Sequence, residues 1–108
     1  RRSLLKEIYE ILPDAEYLHF GDIDVGGFEI YRDLCQKTDI PFRLYHMGIE
    51  ELEKYRDYGK KLTENDRKRL KLLIDKTEKE KTEYIQTLKY MEDQGIKLEQ
   101  ECIGDHET

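Results

Sequence analysis

The 108-residue sequence lacks long apolar runs and an excess of basic residues, and it has little cysteine. No apolar stretch reaches the roughly 18 residues that a membrane-spanning helix needs, so we expect no membrane association of that kind. The two cysteines, Cys35 and Cys102, fit neither a zinc site nor a disulfide framework, and we expect free thiols in a reducing cytoplasm.

The charge balance limits the function classes further. The net charge of −6 argues against strong sequence-independent binding of nucleic acid by this segment, although a DNA enzyme can carry its basic surface in another domain. Charged side chains make up 41% of the chain, so the expected core is modest. The length suits one domain, residues 1–108. Arg1 is not a natural start, and we therefore expect a fragment of a longer protein.

The first half of the chain alternates between helical and extended patterns. Apolar spacing and turn residues predict a helix from Leu4 to Leu12, a strand over 16–20, a helix after the glycines at 26–27, a strand over 42–46 and a short helix over 49–55. This alternation predicts an α/β fold with a parallel sheet and helices on its faces.

The second half has a helical character after a polar loop over 56–61. Thr63 with Asp66 resembles a capping box, and Thr77 with Glu80 resembles a better one. We therefore predict two helices, over about 64–75 and 78–94, with Gly95 as the stop. A single long helix is the alternative. Residues 96–103 are predicted to be extended.

The most informative stretch is the acidic loop at the end of the first predicted strand. In extended backbone Asp22 and Asp24 point the same way, while Ile23 turns into the core. Two carboxylates ~5 Å apart repel by about 3 kcal/mol at an effective dielectric of ~20, and a hard divalent cation would offset that repulsion. The alternative is that Asp22 caps the strand end and Asp24 caps the next helix.

Four segments together resemble a known family. Gly-Asp-Ile-Asp-Val-Gly-Gly-Phe at 21–28 resembles the Gly-Asp-x-Asp-Pro-x-Gly-Phe signature of the Toprim domain in JetD-type proteins of Wadjet plasmid-defence systems, and topoisomerase VI A subunits carry a similar motif. Residues 44–48 lie where the family has an apolar strand that ends in Met-Asp, and residues 62–66 resemble its Leu-Thr-x-Glu-Glu helix start. Residues 95–103 resemble the closing motif Gly-x-Arg-Leu-Glu-Gln-Glu-Arg-Ile.

This resemblance implies a Toprim-like Rossmannoid fold and a metal-dependent, DNA-cleaving function. Asp22 and Asp24 would bind Mg²⁺ or Mn²⁺, and Glu99 and Glu101 of the closing motif would lie close to the metal. A glutamate next to the metal would be a ligand or a general base for water. The alternative is that both glutamates are solvated acids. The expected partners are DNA and condensin-like subunits.

The sequence also departs from the family pattern. Val25 replaces the proline of the signature, Gly48 replaces the aspartate of Met-Asp, and Cys102 replaces an arginine. A Toprim site normally also has a glutamate on an earlier strand, which we expect upstream of Arg1. The fragment would then lack its first strand and be inactive alone, and its exposed sheet edge would offer a homodimer contact.

Two histidines and one basic cluster complete the candidates. His19 and His46 lie at the ends of the two predicted strands, where they would contact phosphate or simply pack as polar groups. The cluster over 60–71 comprises Lys60, Lys61, Arg67, Lys68, Arg69 and Lys71. It would meet a phosphate backbone or form an ordinary solvated helix face.

Three functional hypotheses follow. The first is a catalytic Toprim domain of a Mg²⁺-dependent DNA endonuclease. The second is a non-catalytic module that keeps the Toprim fold for docking to partner subunits or DNA. The third is a small phosphate-handling domain such as a receiver or phosphatase, for which no lysine or threonine can be placed at the required strand ends.

Overall fold

The computed structural model describes residues 3–107 of the chain, with side chains from 3 to 103. The fold is mixed α/β and mostly helical. Its elements are α1 (Leu4–Ile11), β1 (Leu18–His19), α2 (Val25–Thr38), β2 (Arg43–Leu44), α3 (Ile49–Lys54), a 3₁₀ turn (Arg56–Tyr58), β3 (Lys60–Lys61), α4 (Glu64–Glu80), α5 (Ile85–Gln94), β4 (Ile96–Lys97) and α6 (Gln100–Glu107).

The predicted parallel pairing is confirmed on a small scale. Strands β1 and β2 pair in parallel, with Leu18 opposite Arg43 and His19 opposite Leu44, and α2 forms the crossover between them. The ladder is short, but backbone bonds from Arg43 N to the Tyr17 oxygen (2.9 Å) and from Tyr45 N to the His19 oxygen (2.8 Å) extend it at both ends. Among the residues described, these are the two strands that pair in parallel.

A second, antiparallel ladder was not predicted from the sequence. Strands β3 and β4 pair with Lys60 opposite Lys97 and Lys61 opposite Ile96, so part of the expected polar loop over 56–61 is a strand. The chain then continues into a bridge between Leu98 and Ile23. The closing motif is thereby attached to the acidic loop by backbone hydrogen bonds.

The two helices of the second half are confirmed, but their predicted boundary is wrong. Thr77 is fully buried inside α4, where its Oγ1 donates to the Leu73 oxygen at 2.8 Å. The hydroxyl is thus satisfied within the helix and does not cap a new one. The residue that follows α4, Lys81, is left-handed with φ 54°. Gly95 follows α5 with φ 63° and stops that helix, as predicted.

The predicted extended segment over 96–103 is also partly wrong. Only Ile96–Lys97 forms a strand, and α6 begins at Gln100. The N–H groups of the first turn of a helix need acceptors, and the Asp22 carboxylate supplies one of them by accepting from Gln100 N at 2.8 Å. Residues 99 and 101 therefore do not alternate along one strand.

The core lies between α2, α4 and α5. Phe28 is fully buried and stacks on Tyr84 with ring centroids 5.3 Å apart, and Leu70, Leu88 and Met91 are also fully buried. Helix α1 lies outside this core, since none of its residues is buried and Leu4 and Ile11 are largely exposed. Within residues 3–107, no helix combines the length and apolarity needed to cross a bilayer.

Candidate functional site

The acidic loop is held in place by its middle residue. Ile23 is fully buried and exchanges two backbone hydrogen bonds with Leu98, at 2.8 and 3.0 Å. Side chains alternate along extended backbone, so Asp22 and Asp24 project away from the core on either side of Ile23, as predicted. The same alternation places Lys97 and Glu99, on either side of Leu98, on the face that carries the two aspartates.

Both aspartates accept hydrogen bonds from helix N-termini. Asp24 caps α2, because its Oδ1 accepts from Gly27 N at 2.6 Å. Asp22 Oδ1 accepts from Gln100 N, at the first turn of α6. The alternative that Asp24 caps the next helix is therefore confirmed. Asp22 instead accepts its hydrogen bond from Gln100, which lies 78 residues later in the chain. Among residues 3–103, whose side chains are described, no hydrogen bond occupies Oδ2 of either carboxylate, which leaves that oxygen open to another ligand.

The environment of Asp24 disfavours its charged form. Burial raises the pKa of the Asp24 carboxyl, and the nearby Asp22 charge raises it further. The hydrogen bond from Gly27 and the charge of Lys97 act in the opposite direction on that pKa. A cation placed beside the two aspartates would favour the ionised carboxylate of Asp24.

The four acids that the sequence singles out line one cleft. Asp22, Asp24, Glu99 and Glu101 border a depression of about 610 Å³, together with His19. The remaining walls are three glycines, Ile30 and Gln100. The prediction that the closing motif approaches the acidic loop is thus consistent with the geometry, although the roles of the four acids stay predictions.

The two glutamates differ in their surroundings. Glu99 Oε1 accepts a hydrogen bond from Lys60 Nζ at 2.7 Å, and that bond lowers the pKa of the Glu99 carboxyl. Glu101 follows on the first turn of α6, exposed at the edge of the cleft. Glu99 therefore has a counter-ion, whereas no hydrogen bond or ion pair holds the Glu101 side chain among the described residues.

The carboxylates of the cleft suit a hard cation that keeps most of its water ligands better than one that is bound by protein atoms alone. Among residues 3–103, no three His, Cys, Asp or Glu side chains lie close enough to hold an ion by themselves. Mg²⁺ is commonly bound by one or two carboxylates, several waters and substrate phosphate oxygens. Asp22 and Asp24 match that pattern because each retains one open carboxylate oxygen.

Lys97 is a residue of the site that sequence reasoning missed. Its Nζ donates to Asp66 Oδ2 at 2.7 Å, and its charge acts on both Asp24 and Glu99. Asp66 in turn caps α4 with Thr63, as predicted, through a bond from Thr63 N at 2.8 Å. Side chains alternate along the segment 97–99, and this alternation would have predicted that Lys97 faces the aspartates. The prediction requires knowing that this segment pairs with the acidic loop.

The Asp66–Lys97 pair predicts a dependence of stability on pH. The Lys97 and Thr63 bonds lower the pKa of the Asp66 carboxyl from 3.8 to about 2. Since the folded state has the lower pKa, the pair stabilises the fold fully above about pH 4, and this stabilisation is lost as the pH falls through about 2. We expect Asp66→Asn to cost about 1–2 kcal/mol of unfolding free energy at pH 7.

Denaturant unfolding at pH 7 and near pH 2 measures this effect. The cost of Asp66→Asn should shrink at the lower pH, because about half of the Asp66 carboxyl is then protonated in the folded parent protein as well. Asp75→Asn serves as the control, since Asp75 is an exposed acid on the same helix and has no partner among the residues described. Equal costs for the two variants at pH 7 would contradict the prediction.

The histidines have different positions. His19 lines the acidic cleft, packs against Tyr31 at a centroid distance of 5.5 Å and has a pKa lowered by burial, which favours the neutral ring. His46 borders another depression and lies 3.5 Å from Glu51 Oε2. The structure thus places His19, and not His46, beside the candidate acids.

Comparison with known protein families gives a match over nearly the whole chain. The protein-family model described as the C-terminal part of Wadjet protein JetD matches residues 3–108. Neither curated proteins nor solved structures give a match.

Proposed function

The chain belongs to the family of Wadjet protein JetD C-terminal domains, and from that premise we propose that it is the Toprim-like, metal-binding domain of a DNA-cleaving plasmid-defence nuclease. In this proposal residues 1–108 form one domain, and the intact protein acts on DNA together with condensin-like partner subunits. The family match supports the Wadjet assignment, and the cleft supports the chemistry.

The observation that carries the proposal is the collection of four carboxylates in one cleft, where the loop after β1 meets the segment after β4. Asp22 and Asp24 would hold Mg²⁺ or Mn²⁺ through their open oxygens, and both are fixed by hydrogen bonds to helix N-termini. When bound, such a cation supplies positive charge that polarises a phosphodiester and stabilises the leaving oxygen.

The two glutamates would have separate roles. Glu101 is the better general base because it lines the cleft and no described residue donates a hydrogen bond to it. Glu99 is held by Lys60, which favours its charged form and makes it a poorer proton acceptor. Glu99 would instead position Lys60 at the mouth of the cleft.

Cleavage of supercoiled plasmid by the intact protein tests the proposal. Nicked or linear product should form with Mg²⁺ or Mn²⁺ and disappear with EDTA. Calorimetric titration with Mn²⁺ gives a second measurement, in which saturable binding should be lost in the Asp22→Asn/Asp24→Asn double variant. Cleavage that is unaffected by EDTA would refute the proposal.

A second candidate function is a non-catalytic docking module that keeps this fold. The favouring observation is that both aspartates already serve as acceptors for backbone N–H groups, which gives them a structural role without any ion. A folded intact protein that binds its partner subunits but neither takes up Mn²⁺ nor cuts DNA would support this alternative.

A further inference from the structure

Helix α4 divides the predicted basic cluster into two faces of different character. Its buried residues Leu70, Leu73, Ile74 and Thr77 define the inner face. Arg67 and Lys71 lie on one flank, among the acids Glu64, Asp75 and Glu78, and this flank is an ordinary mixed surface. The opposite flank carries cations without interspersed acids.

That opposite flank forms what we call the cationic stripe. Its members recur at spacings of three and four residues and therefore share one helix face: Asn65, Lys68, Arg69, Leu72, Lys76 and Lys79. The four lysine and arginine side chains and Leu72, which is 61% exposed, all lie at or near the protein surface. From Lys68 to Lys79 the stripe runs about 16 Å along the helix axis.

Two of the acids that border the stripe are paired with arginines, and a third, Asp75, lies at its edge one turn before Lys79. Glu29 of α2 is paired with Arg69, and Glu80 is paired with Arg32 at 2.7 Å. Lys68 and Lys79 have no hydrogen-bond or ion-pair partner among the described residues. The stripe therefore keeps a net positive charge on a chain whose net charge is −6.

One end of the stripe adjoins the acidic cleft. Arg69 Nη2 lies 3.8 Å from the position that a methyl group on Gly26 would occupy, and Gly26 lines the cleft. Asp66, one turn before Leu70, holds Lys97 on the face shared with Asp24. The cations thus lead away from the carboxylates along α4.

We propose that the cationic stripe binds the phosphate backbone of DNA and directs one strand towards the acidic cleft. This inference rests on the proposed function. The stripe would supply the positive charge for DNA binding that the acidic domain otherwise lacks. A length of about 16 Å matches the axial rise of about five nucleotides of one strand. The adjacency of the stripe to a carboxylate cleft favours a nucleic-acid backbone over an acidic protein surface.

The test is the salt dependence of DNA binding by the intact protein in EDTA, so that binding is measured without cleavage. The probe is a fluorescein-labelled duplex of about 20 base pairs, and the slope of log affinity against log salt changes by about 0.9 for each phosphate contact. The stripe variant is Lys68→Ala/Lys76→Ala/Lys79→Ala. The matched control, Lys61→Ala/Arg67→Ala/Lys71→Ala, removes the same charge from the mixed flank and the neighbouring β3.

We expect the stripe variant to lose about 2–3 units of slope and to bind about tenfold or more weakly at ~0.15 M salt, while the control stays close to the parent protein. Equal losses in the two variants, no loss in the stripe variant, or no DNA binding by the parent would overturn the proposal. Because no metal is present, these results are independent of whether the aspartates support cleavage. Loss of partner-subunit binding with unchanged DNA binding would identify the stripe as a protein-docking surface instead.

Discussion

Asp24→Asn is expected to abolish metal-dependent DNA cleavage while leaving the domain folded. Asparagine caps helices about as well as aspartate, so the hydrogen bond from Gly27 N to the side-chain oxygen at position 24 can be retained. The negative charge that would hold the cation is lost. If the cation supplies ~3 kcal/mol of transition-state stabilisation through this carboxylate, cleavage should fall by about 100-fold or more.

Three variants separate charge from capping in this experiment. Asp24→Ala removes the cap as well and should cost about 1 kcal/mol of unfolding free energy, whereas Asp24→Asn should cost less, because burial and Asp22 already disfavour the charge. Asp33→Asn, an exposed acid on the same helix, serves as the control for cleavage. Cleavage by Asp24→Asn at the parental rate would remove Asp24 from the catalytic role.

The sequence was most informative where local pattern and structure coincide. The order of elements through α3 follows apolar spacing and turn residues, and the left-handed stop at Gly95 follows from the preference of glycine for positive φ. The family resemblance predicted that the acidic loop and the closing motif lie close together. Two contacts in the structure are the physical cause. The Ile23–Leu98 bridge joins the two segments, and Asp22 caps the helix that carries Glu101.

The features that could not be predicted from the sequence depend on contacts between residues far apart in the chain. Lys60 and Lys61 have no strand character, and they form β3 only because Ile96 and Lys97 lie beside them. Thr77 has the pattern of a cap, but its burial against the core decides that its hydroxyl bonds backward inside α4. The cationic stripe could not be predicted for a similar reason. A run of lysines and arginines in the sequence does not show which side of α4 packs against α2 and which side faces solvent.

Gly27→Ala is expected to be the most damaging small substitution in the site. A methyl group at Gly27 would overlap the backbone carbonyl oxygen of Asp22 and lie 3.2 Å from Asp24 Oδ1. Backbone cannot move aside as a side-chain rotamer can, so the cost should be about 3 kcal/mol of unfolding free energy, and Mn²⁺ binding should weaken with it. Denaturant unfolding and calorimetric titration measure the two effects.

Gly26→Ala is the matched control, because its added methyl group would meet only Asp24 Oδ1 at 3.5 Å and Arg69 Nη2 at 3.8 Å, which are ordinary contacts. Alanine in this first turn of α2 should leave stability unchanged or raise it by about 0.5–1 kcal/mol. Equal effects at the two positions would contradict the geometry.

The contrast between the two glycines explains the motif that the loop resembles. In Gly-Asp-x-Asp-Pro-x-Gly-Phe the second variable position falls on Gly26, where a side chain has room, and the required glycine falls on Gly27, where it does not. The proline position falls on Val25, the first residue of α2, where proline is favoured because the missing N–H needs no partner. The pattern is therefore that of a helix start packed tightly against the carboxylate loop, and Val25 is buried at the proline position.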